Sequence, residues 1–312
     1  MDVTLNGFVE TQSSSIDPKK REDKRRTIRI KRAGLDKYKL GKLDRPAIKF
    51  AESIDDLEKS FSLVYQIYKK KGFIPESNPH KMLYSMYSLL PWTTHIIAKS
   101  YQNVISNLTE IFDTPEFGLP MDALYKPELD VIRSQKRTIV ELSALATPQE
   151  HRWKNIFLYL VQVMYWYSWF AGVDDVCVMV NPRHKRFYMQ LFPFEQIGPE
   201  RYYPRVDAPA VGLRGKVQES FERMKDICDD LEFETPLYSY FKMMDGKKPQ
   251  RSSHEVNLQS LQILVQPNQL ECRTVNHFLN LDPTLVHDLT SEQKTYLRKA
   301  YPNIDLPVSV PM

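Results

Sequence analysis

Glycine is scarce in this sequence, with 10 residues among 312, and no two of them lie closer than Gly212 and Gly215. The chain therefore has no G-x-G-x-x-G or Walker loop, whose glycines let backbone amides approach a phosphate, and no G-x-S-x-G elbow. These absences disfavour the common nucleotide-binding folds and the common serine hydrolases.

Cysteine is also rare, since the sequence contains only Cys177, Cys228 and Cys272. An odd number at wide spacing suits neither a disulfide framework nor a C-x-x-C zinc site, so we expect a reducing, cytoplasmic location and no metal. The first residues have no basic head followed by an apolar stretch, which predicts no secretory signal. Metal-ligand spacing is also missing around the isolated histidines, which are His80, His254, His277 and His287.

Positive charge is concentrated near the N-terminus. Residues 1–50 contain 14 Lys and Arg against 7 Asp and Glu, and the segment 19–32 (KKREDKRRTIRIKR) alone holds nine basic residues. Such a composition predicts a flexible arm over residues 1–45. A contact of this arm with nucleic acid or with an anionic membrane surface is the alternative, because polybasic segments bind either polyanion.

The first half of the chain predicts a strand, a helix and a hairpin. Residues 47–50 alternate as a strand does, and Ser53 and Asp56 have capping-box spacing ahead of an apolar helical face. Residues 93–98 and 104–112 predict two strands of a hairpin. The loop 114–120 then interrupts regular structure, and we assign no element between it and the next strand.

The second half predicts a continuing α/β alternation up to residue 217. Its elements are a strand at 138–146, a helix at 151–171, a buried strand at 176–180, a helix that opens at Asn181-Pro182, and a last pair of strands within 195–217. The predicted order is therefore β-α-β-β-β-α-β-α-β.

The segment 156–173 has no charged residue and is long enough to span a membrane. Polar and aromatic side chains are spread along it and strands flank it closely, so we favour a buried core helix over a membrane span. Residues 218–312 predict a helical extension, with one helix near Thr290 and Gln293, and no chemistry is evident there.

Four blocks of sequence resemble the long-chain N-acyl amino acid synthases of the FeeM type. This family lies within the GNAT acyltransferase superfamily and is related to the acyl-homoserine lactone synthases. The blocks are residues 56–74, LPWTTHIIAK at 90–99, residues 113–146 ending in ELSALA, and 180–214. The resemblance implies an α/β fold over residues 46–217, with a mixed central sheet flanked by helices.

The sequence departs from these relatives at two informative places. The pyrophosphate loop of the superfamily corresponds to residues 151–155 (HRWKN), which contain no glycine. Backbone amides are then less accessible to a diphosphate, which favours a donor on an acyl carrier protein over acyl-CoA. Ala144 stands where the lactone synthases carry Arg after Glu-x-Ser, so lactone synthesis is disfavoured.

The resemblance implies three catalytic residues. Glu141 is the expected general base, because burial on an apolar strand raises a carboxyl pKa; pairing with Arg137 or exposure to solvent is the alternative. Ser143 shares its strand face and is expected to hold the amine or a water. Tyr188, in an Asn-x6-Tyr pattern with Asn181, is the expected acid for the leaving thiolate. Ser143 as a core hydroxyl and Tyr188 as a packing residue remain open.

Further residues are implied for the substrates. No cofactor is expected to be bound, since the acyl donor carries its own phosphopantetheine. The residues expected to bind this donor are Leu145, Ala146, Thr147, Arg152, Lys154, Asn181 and Arg183. Those expected to line an acyl-chain pocket are Tyr165, Trp166, Trp169 and Phe170. Those expected on the acceptor side are Tyr65, Tyr68, Thr93 and Thr94.

We therefore expect an N-acyltransferase that moves a long-chain fatty acyl group from acyl carrier protein, or acyl-CoA, to the α-amine of an amino acid. Its partners would be the carrier protein and the amino acid, with peripheral membrane contact and without nucleic acid. The alternatives are an inactive GNAT-like scaffold, a polyanion-binding protein and a lactone-type signal synthase. Cys177 lies within an apolar run and is a poor candidate for a nucleophile.

Overall fold

The computed structural model describes residues 43, 46–74, 79–154, 156–220 and 269–306. The basic run at 19–32, Cys228 and His254 lie outside the described residues, as do the side chains of Arg152 and Lys154. The arm predicted from this basic run therefore stays a prediction.

The first four elements follow the predicted order. They are β1 (Pro46–Phe50), α1 (Ile54–Lys70), β2 (Thr94–Ser100) and β3 (Asn103–Phe112). Ser53 caps α1, because its Oγ accepts a hydrogen bond from the backbone N of Asp56 at 3.2 Å. The capping signal and the hairpin are thus confirmed.

A helix that the sequence analysis did not assign, α2 (Asp122–Ser134), lies between β3 and β4. Pro127 lies inside it, and proline lacks the N–H that a helix interior needs. The chain accommodates Pro127 by a kink at Tyr125, whose φ of −122° is not helical. Gly118 precedes the helix with φ +62°, and a Cβ there would collide with the Asp122 carboxylate.

The remaining elements of the α/β part agree with prediction except at its end. They are β4 (Ile139–Ala146), α3 (Ile156–Phe170), β5 (Asp175–Val180) and α4 (Pro182–Leu191). Three strands then follow instead of the expected two: the short β6 (Glu195–Gln196) and β7 (Arg201–Tyr203), and the longer β8 (Ala208–Lys216). A 3-10 turn, Pro204–Val206, connects β7 to β8.

The uncharged helix α3 is buried along most of its length. It packs in the same hydrophobic cluster as Ile96, Val140 and Leu142 of the sheet, which confirms the core-helix interpretation. Among the described residues, no helix combines the length and hydropathy that a bilayer crossing needs.

The strands form one mixed sheet in the order β1-β2-β3-β4-β5-β8-β6, with β7 paired to β8. Among the described strands only β4 and β5 are parallel, and their pairing runs from Ile139–Asp175 to Leu142–Val178. Beyond Leu142 the strand β4 continues to Ala146 with no partner on that side within the described part of the chain. Ala144, at φ +51°, lies where the register between β3 and β4 shifts, so a bulge bends β4 at this point. The sheet therefore opens between β4 and β5.

Helices cover both faces of the sheet. Side chains such as Ile96 and Val140 pack with α3, whereas Ile97 and Ala146 pack with α1 on the other face. The α2 helix joins this second face through Ile111, Ile139 and Cys177. The opening between β4 and β5 is therefore accessible from two differently lined sides.

Two helices near the C-terminus, α5 (Cys272–Leu281) and α6 (Ser291–Ala300), pack on the α1 side. Thr290 and Gln293 form the predicted capping box of α6. The hydrogen bonds that fix these helices to the α/β part include Tyr84 Oη to Phe278 O at 3.1 Å, Tyr301 Oη to Leu89 O at 3.0 Å, and Gln293 Nε2 to Glu116 O at 2.9 Å. The predicted extension thus shares a hydrophobic cluster with the α/β part.

Candidate active site

A cleft of about 870 Å³ occupies the opening between β4 and β5. On the α1 and α2 face its wall carries polar side chains, among them Thr109, Glu141, Ser143 and Arg205, beside apolar ones such as Val64 and Leu83. On the α3 face its wall is apolar and includes Phe157, Val161, Met164, Phe192 and Phe194. One cleft therefore joins a polar compartment to an apolar one through the sheet.

Glu141 is the central carboxylate of the polar compartment and is only 3% exposed. Its Oε2 accepts a hydrogen bond from the backbone N of Met121 at 2.7 Å, at the N-terminal end of α2. Burial raises the pKa of Glu141 to about 8, an effect that the Met121 N–H and the Arg205 charge oppose. Such a carboxylate exchanges a proton near neutral pH, as a general base must.

The alternative interpretation of Glu141 does not fit these contacts. Arg137, its proposed structural partner, instead makes an ion pair with Asp175, which is fully buried. Arg214 makes a second ion pair with the same carboxylate at 2.8 Å. Glu141 thus faces the cleft without either of the structural roles considered from the sequence.

Ser143 and Tyr188 line the same cleft as Glu141. Ser143 is paired with Thr109 of β3 in the sheet register. Tyr188 is half-buried, and its ring packs against Phe157 and Phe194 with centroids 6.4 Å apart in each case. Burial and the neighbouring phenols Tyr188 and Tyr203 raise the pKa of Tyr68 to about 12. Tyr68 and Tyr188 therefore both line the cleft.

The predicted donor-binding residues separate into two groups. Leu145, Thr147, Asn181 and Arg183 line the cleft. Ala146 is buried outside the wall, and its carbonyl accepts a hydrogen bond from Ser106 Oγ at 3.1 Å. Asn181 caps α4, since its Oδ1 accepts from Arg183 N at 3.2 Å, and its Nδ2 donates to Pro209 O at 3.3 Å.

The structure does not bring the predicted acyl-pocket residues to the cleft. Trp169 and Phe170 are 46% and 52% exposed at the end of α3, and Tyr165 and Trp166 are buried outside the wall. The cleft instead meets Phe157, Val161 and Met164 of the same helix. These positions follow the i, i+4, i+7 spacing of one helix face, a signal in the sequence that the aromatic run obscured.

Of the predicted acceptor-side residues, Tyr68 lines the cleft and the other three do not. Tyr65, Thr93 and Thr94 are buried. Thr93 has a structural contact, because its Oγ1 donates a hydrogen bond to Tyr87 O at 2.7 Å. The α1 and α2 face of the cleft is thus lined largely by residues that the sequence analysis did not select.

One such residue, Thr109, is held by a buried network. His95 Nε2 lies 2.9 Å from the carbonyl of Ser88, so this nitrogen carries the proton and Nδ1 accepts from Thr109 Oγ1 at 3.0 Å. Asn107 Nδ2 donates to the same hydroxyl at 3.3 Å. Burial lowers the pKa of His95 to about 4, which keeps the imidazole neutral. The block containing His95 was recognised in the sequence, but its contact with Thr109 depends on strand pairing.

Comparisons with known proteins agree with this architecture. The family model described as N-acyl amino acid synthase FeeM matches residues 59–216, just over half of the chain. The solved structure of FeeM, an N-acyl amino acid synthase from uncultured soil microbes, is similar at 21% identity and a TM-score of 0.51, over 57% of this chain and 95% of that chain.

Two further structures are more distant. BjaI, a CoA-dependent acyl-homoserine lactone synthase, shares 14% identity at a TM-score of 0.46, over 64% of this chain and 99% of that one. An acyl-CoA N-acyltransferase from Pseudomonas aeruginosa shares 14% identity at a TM-score of 0.37, over 55% of this chain and 98% of that one. No curated protein sequence matches the chain.

The family model matches more than half of the chain, and the mixed sheet with its cleft agrees with this match. The chain therefore belongs to the FeeM family of N-acyl amino acid synthases, and it is an acyltransferase with the GNAT-like fold.

Proposed function

We propose that this enzyme transfers a long-chain acyl group from a phosphopantetheine thioester to the α-amine of an amino acid. The observation that carries the proposal is the position of Glu141, a buried carboxylate in the polar half of a cleft whose other half is apolar. An amine beside Glu141 and an acyl chain beside α3 would meet where β4 and β5 separate.

The proposed reaction is a direct transfer. The neutral amine attacks the thioester carbonyl while Glu141 takes the proton that the nitrogen loses, directly or through a water. The C–S bond then breaks as the C–N bond is retained, and Tyr188 donates its proton to the departing thiolate. Burial raises the pKa of the Cys177 thiol, so this side chain stays protonated and is unsuited to form an acyl-enzyme.

Backbone groups of β4 are available for the donor arm. Residues from Ser143 to Ala146 lack a β5 partner, so their N–H and C=O groups on that side are free of the ladder. A pantetheine arm carries amides that can complete such an unpaired edge. Leu145 and Thr147 line the cleft at this edge, which supports their predicted role.

The apolar half of the cleft suits a long acyl chain, because each buried methylene contributes about 0.8 kcal/mol. We expect Val161→Trp to fill part of this space and to shift the preference toward shorter acyl donors. The kcat/KM of the longest donor should fall roughly tenfold for every two methylenes that no longer fit. The measurement is the length distribution of products formed from a mixed set of donors.

Trp169→Ala is the matched control for this prediction, since Trp169 lies on the same helix but outside the cleft wall. Its product distribution should equal that of the wild type. If Trp169→Ala altered the chain length and Val161→Trp did not, the wall would be the exposed end of α3 as the sequence analysis expected.

Basic side chains at the cleft suit a phosphorylated donor. Arg183 and Lys71 are exposed and line its edge, and Arg183 Nε lies 3.1 Å from His184 Nε2. Because residues 151–155 contain no glycine to cradle a diphosphate, we propose a carrier-bound donor over acyl-CoA. Peripheral membrane contact by an enzyme with an amphiphilic product stays a prediction.

Charge reversal at Arg183 tests this donor site. Arg183→Glu should raise the KM for acyl carrier protein about tenfold, by removing one charge-assisted contact with the phosphate, and should change kcat little. The KM for an acyl-N-acetylcysteamine donor, which has no phosphate, should stay at the wild-type value. Arg298→Glu, an exposed change on α6, is the control; an equal rise in KM for both donors would refute a phosphate contact.

The proposed function is tested with purified enzyme, donors on carrier protein and on CoA, and a pool of amino acids. Mass spectrometry should detect N-acyl amino acids, formed faster from the carrier-bound donor. The absence of any N-acylated product with both donors would contradict the proposal. Acyl-homoserine lactone from S-adenosylmethionine would instead support the alternative that Ala144 disfavours.

A further inference from the structure

Among the described residues, Arg205 lines the cleft together with one other arginine, Arg183. Arg205 lies in the turn Pro204–Val206, and it is exposed. Among the described residues, no carboxylate lies within salt-bridge distance of it. By contrast, Arg133, Arg137, Arg201 and Arg214 are each paired with an aspartate or glutamate. The Arg205 guanidinium is therefore a cation at the site without a charge partner in the described part of the chain.

The turn that carries Arg205 lies between β7 and β8, and contacts near both strands fix it to α2. Arg201, at the start of β7, makes a salt bridge with Glu128 of α2, and its guanidinium lies 4.6 Å from the centroid of the Tyr125 ring. Tyr125 Oη donates hydrogen bonds to Pro199 O at 2.8 Å and to Ala210 O at 3.0 Å. These contacts hold the turn over the polar half of the cleft.

Arg205 acts electrostatically on the catalytic compartment. Its positive charge lowers the pKa of both Glu141 and Tyr87 against the larger effect of burial. The guanidinium thus lies on the same side of the sheet as the carboxylate that receives the amine proton. A second anion that entered beside Glu141 would be repelled by the ionised base unless a cation were present.

We propose that Arg205 is a specificity-determining residue that binds the α-carboxylate of the acceptor amino acid and thereby directs its amine toward Glu141. The inference rests on the proposed function and names the residue that recognises the carboxylate of the acceptor. An α-amino acid would present its amine to Glu141 and its carboxylate to the guanidinium, whose planar fork matches a carboxylate with two hydrogen bonds. Arg205 would thereby offset the negative charge of the carboxylate and orient the amine of the same amino acid.

The experiment compares Arg205→Gln with the wild type on two acceptors: the amino acid that is turned over fastest from the pool, and its primary amide. Arg205→Gln should raise the KM for the amino acid about 10- to 100-fold, the effect of losing a charged hydrogen-bond pair, and should leave the KM for the amide within about twofold. Arg205→Lys should recover part of the affinity for the amino acid, because it keeps the charge but not the fork. Arg298→Gln is the control for a general loss of positive charge.

The possible outcomes distinguish a failure of this inference from a failure of the proposed function. The carboxylate contact is overturned if the wild-type enzyme acylates the amide as efficiently as the amino acid, or if Arg205→Gln changes the KM for both acceptors equally. Either result leaves the proposed acyltransferase function standing. A wild-type enzyme that acylates neither acceptor from any donor overturns the proposed function and the inference together. Circular dichroism and the melting temperature of the variants confirm that the exposed substitution leaves the fold intact.

Discussion

Glu141→Gln is expected to lower kcat by about 10²- to 10⁴-fold, the usual contribution of a positioned general base. The amide keeps the shape of the carboxylate and can still accept the Met121 N–H through its carbonyl, so the fold should be preserved. It cannot take a proton from the amine. The measurement is single-turnover formation of the N-acyl product with both substrates saturating.

The pH dependence of the wild type gives a second test of the same residue. Glu141 acts as a base only when it is ionised, and its pKa is about 8. The logarithm of kcat should therefore rise with pH at unit slope below about pH 8 and level off above it. Asp122 and Arg205 shift this pKa in opposite directions, so Arg205→Gln should move the inflection upward.

Glu110→Gln is the matched control for both measurements. Glu110 is also fully buried, and burial raises its pKa to about 8 as well. It points to the opposite face of the sheet, however, where Ser168 Oγ donates a hydrogen bond to its Oε1 at 2.7 Å, and it does not line the cleft. Glu110→Gln should retain kcat and the inflection. If both variants lost activity equally, the loss would come from the replacement of any buried carboxylate and not from a catalytic role of Glu141.

Phe278→Ala is expected to destabilise the α/β part by about 3–5 kcal/mol, the usual cost of a large cavity in a core. Phe278 has no exposed surface, and its ring meets Phe61 of α1 at a centroid distance of 5.1 Å and Tyr84 at 5.2 Å. The substitution thus removes contacts between the C-terminal helices and the elements beside the cleft. Equilibrium unfolding in urea measures the change.

Val131→Ala is the control for this prediction, because Val131 is 61% exposed on α2 and should change stability by less than about 0.5 kcal/mol. Activity of Phe278→Ala should fall at temperatures where the wild type is still fully folded, since α6 also holds the loop before α2 through Gln293 and Glu116. A separate low-stability transition, with the main transition unchanged, would instead indicate the accessory extension that the sequence predicted from residue 218.

Membership of an enzyme family sets aside the inactive scaffold considered from the sequence. The polyanion-binding alternative concerned residues 19–32, which the structure does not describe, and deletion of residues 1–45 remains its test. The donor and the acceptor are likewise questions for the assays above.

The sequence predicted best where a signal is local. Ser53 and Asp56 mark the start of α1, Thr290 and Gln293 mark that of α6, and Pro182 opens α4. Each of these depends on contacts between residues two to three positions apart, which the order of amino acids specifies directly. The α2 helix was not assigned from the sequence, and its kink at Tyr125, which accommodates Pro127, is not a feature that a local rule specifies.

By itself, then, the sequence determined the order of most elements, the placement of Glu141 and Ser143 on one face of β4, and the family. The tertiary structure decided where the sheet opens, which face of α3 meets the cleft, and that Arg205 approaches Glu141 from a turn 64 positions away in the chain. The physical reason is that side-chain periodicity depends only on near neighbours, whereas a cleft forms where strands and helices distant in sequence pack against one another.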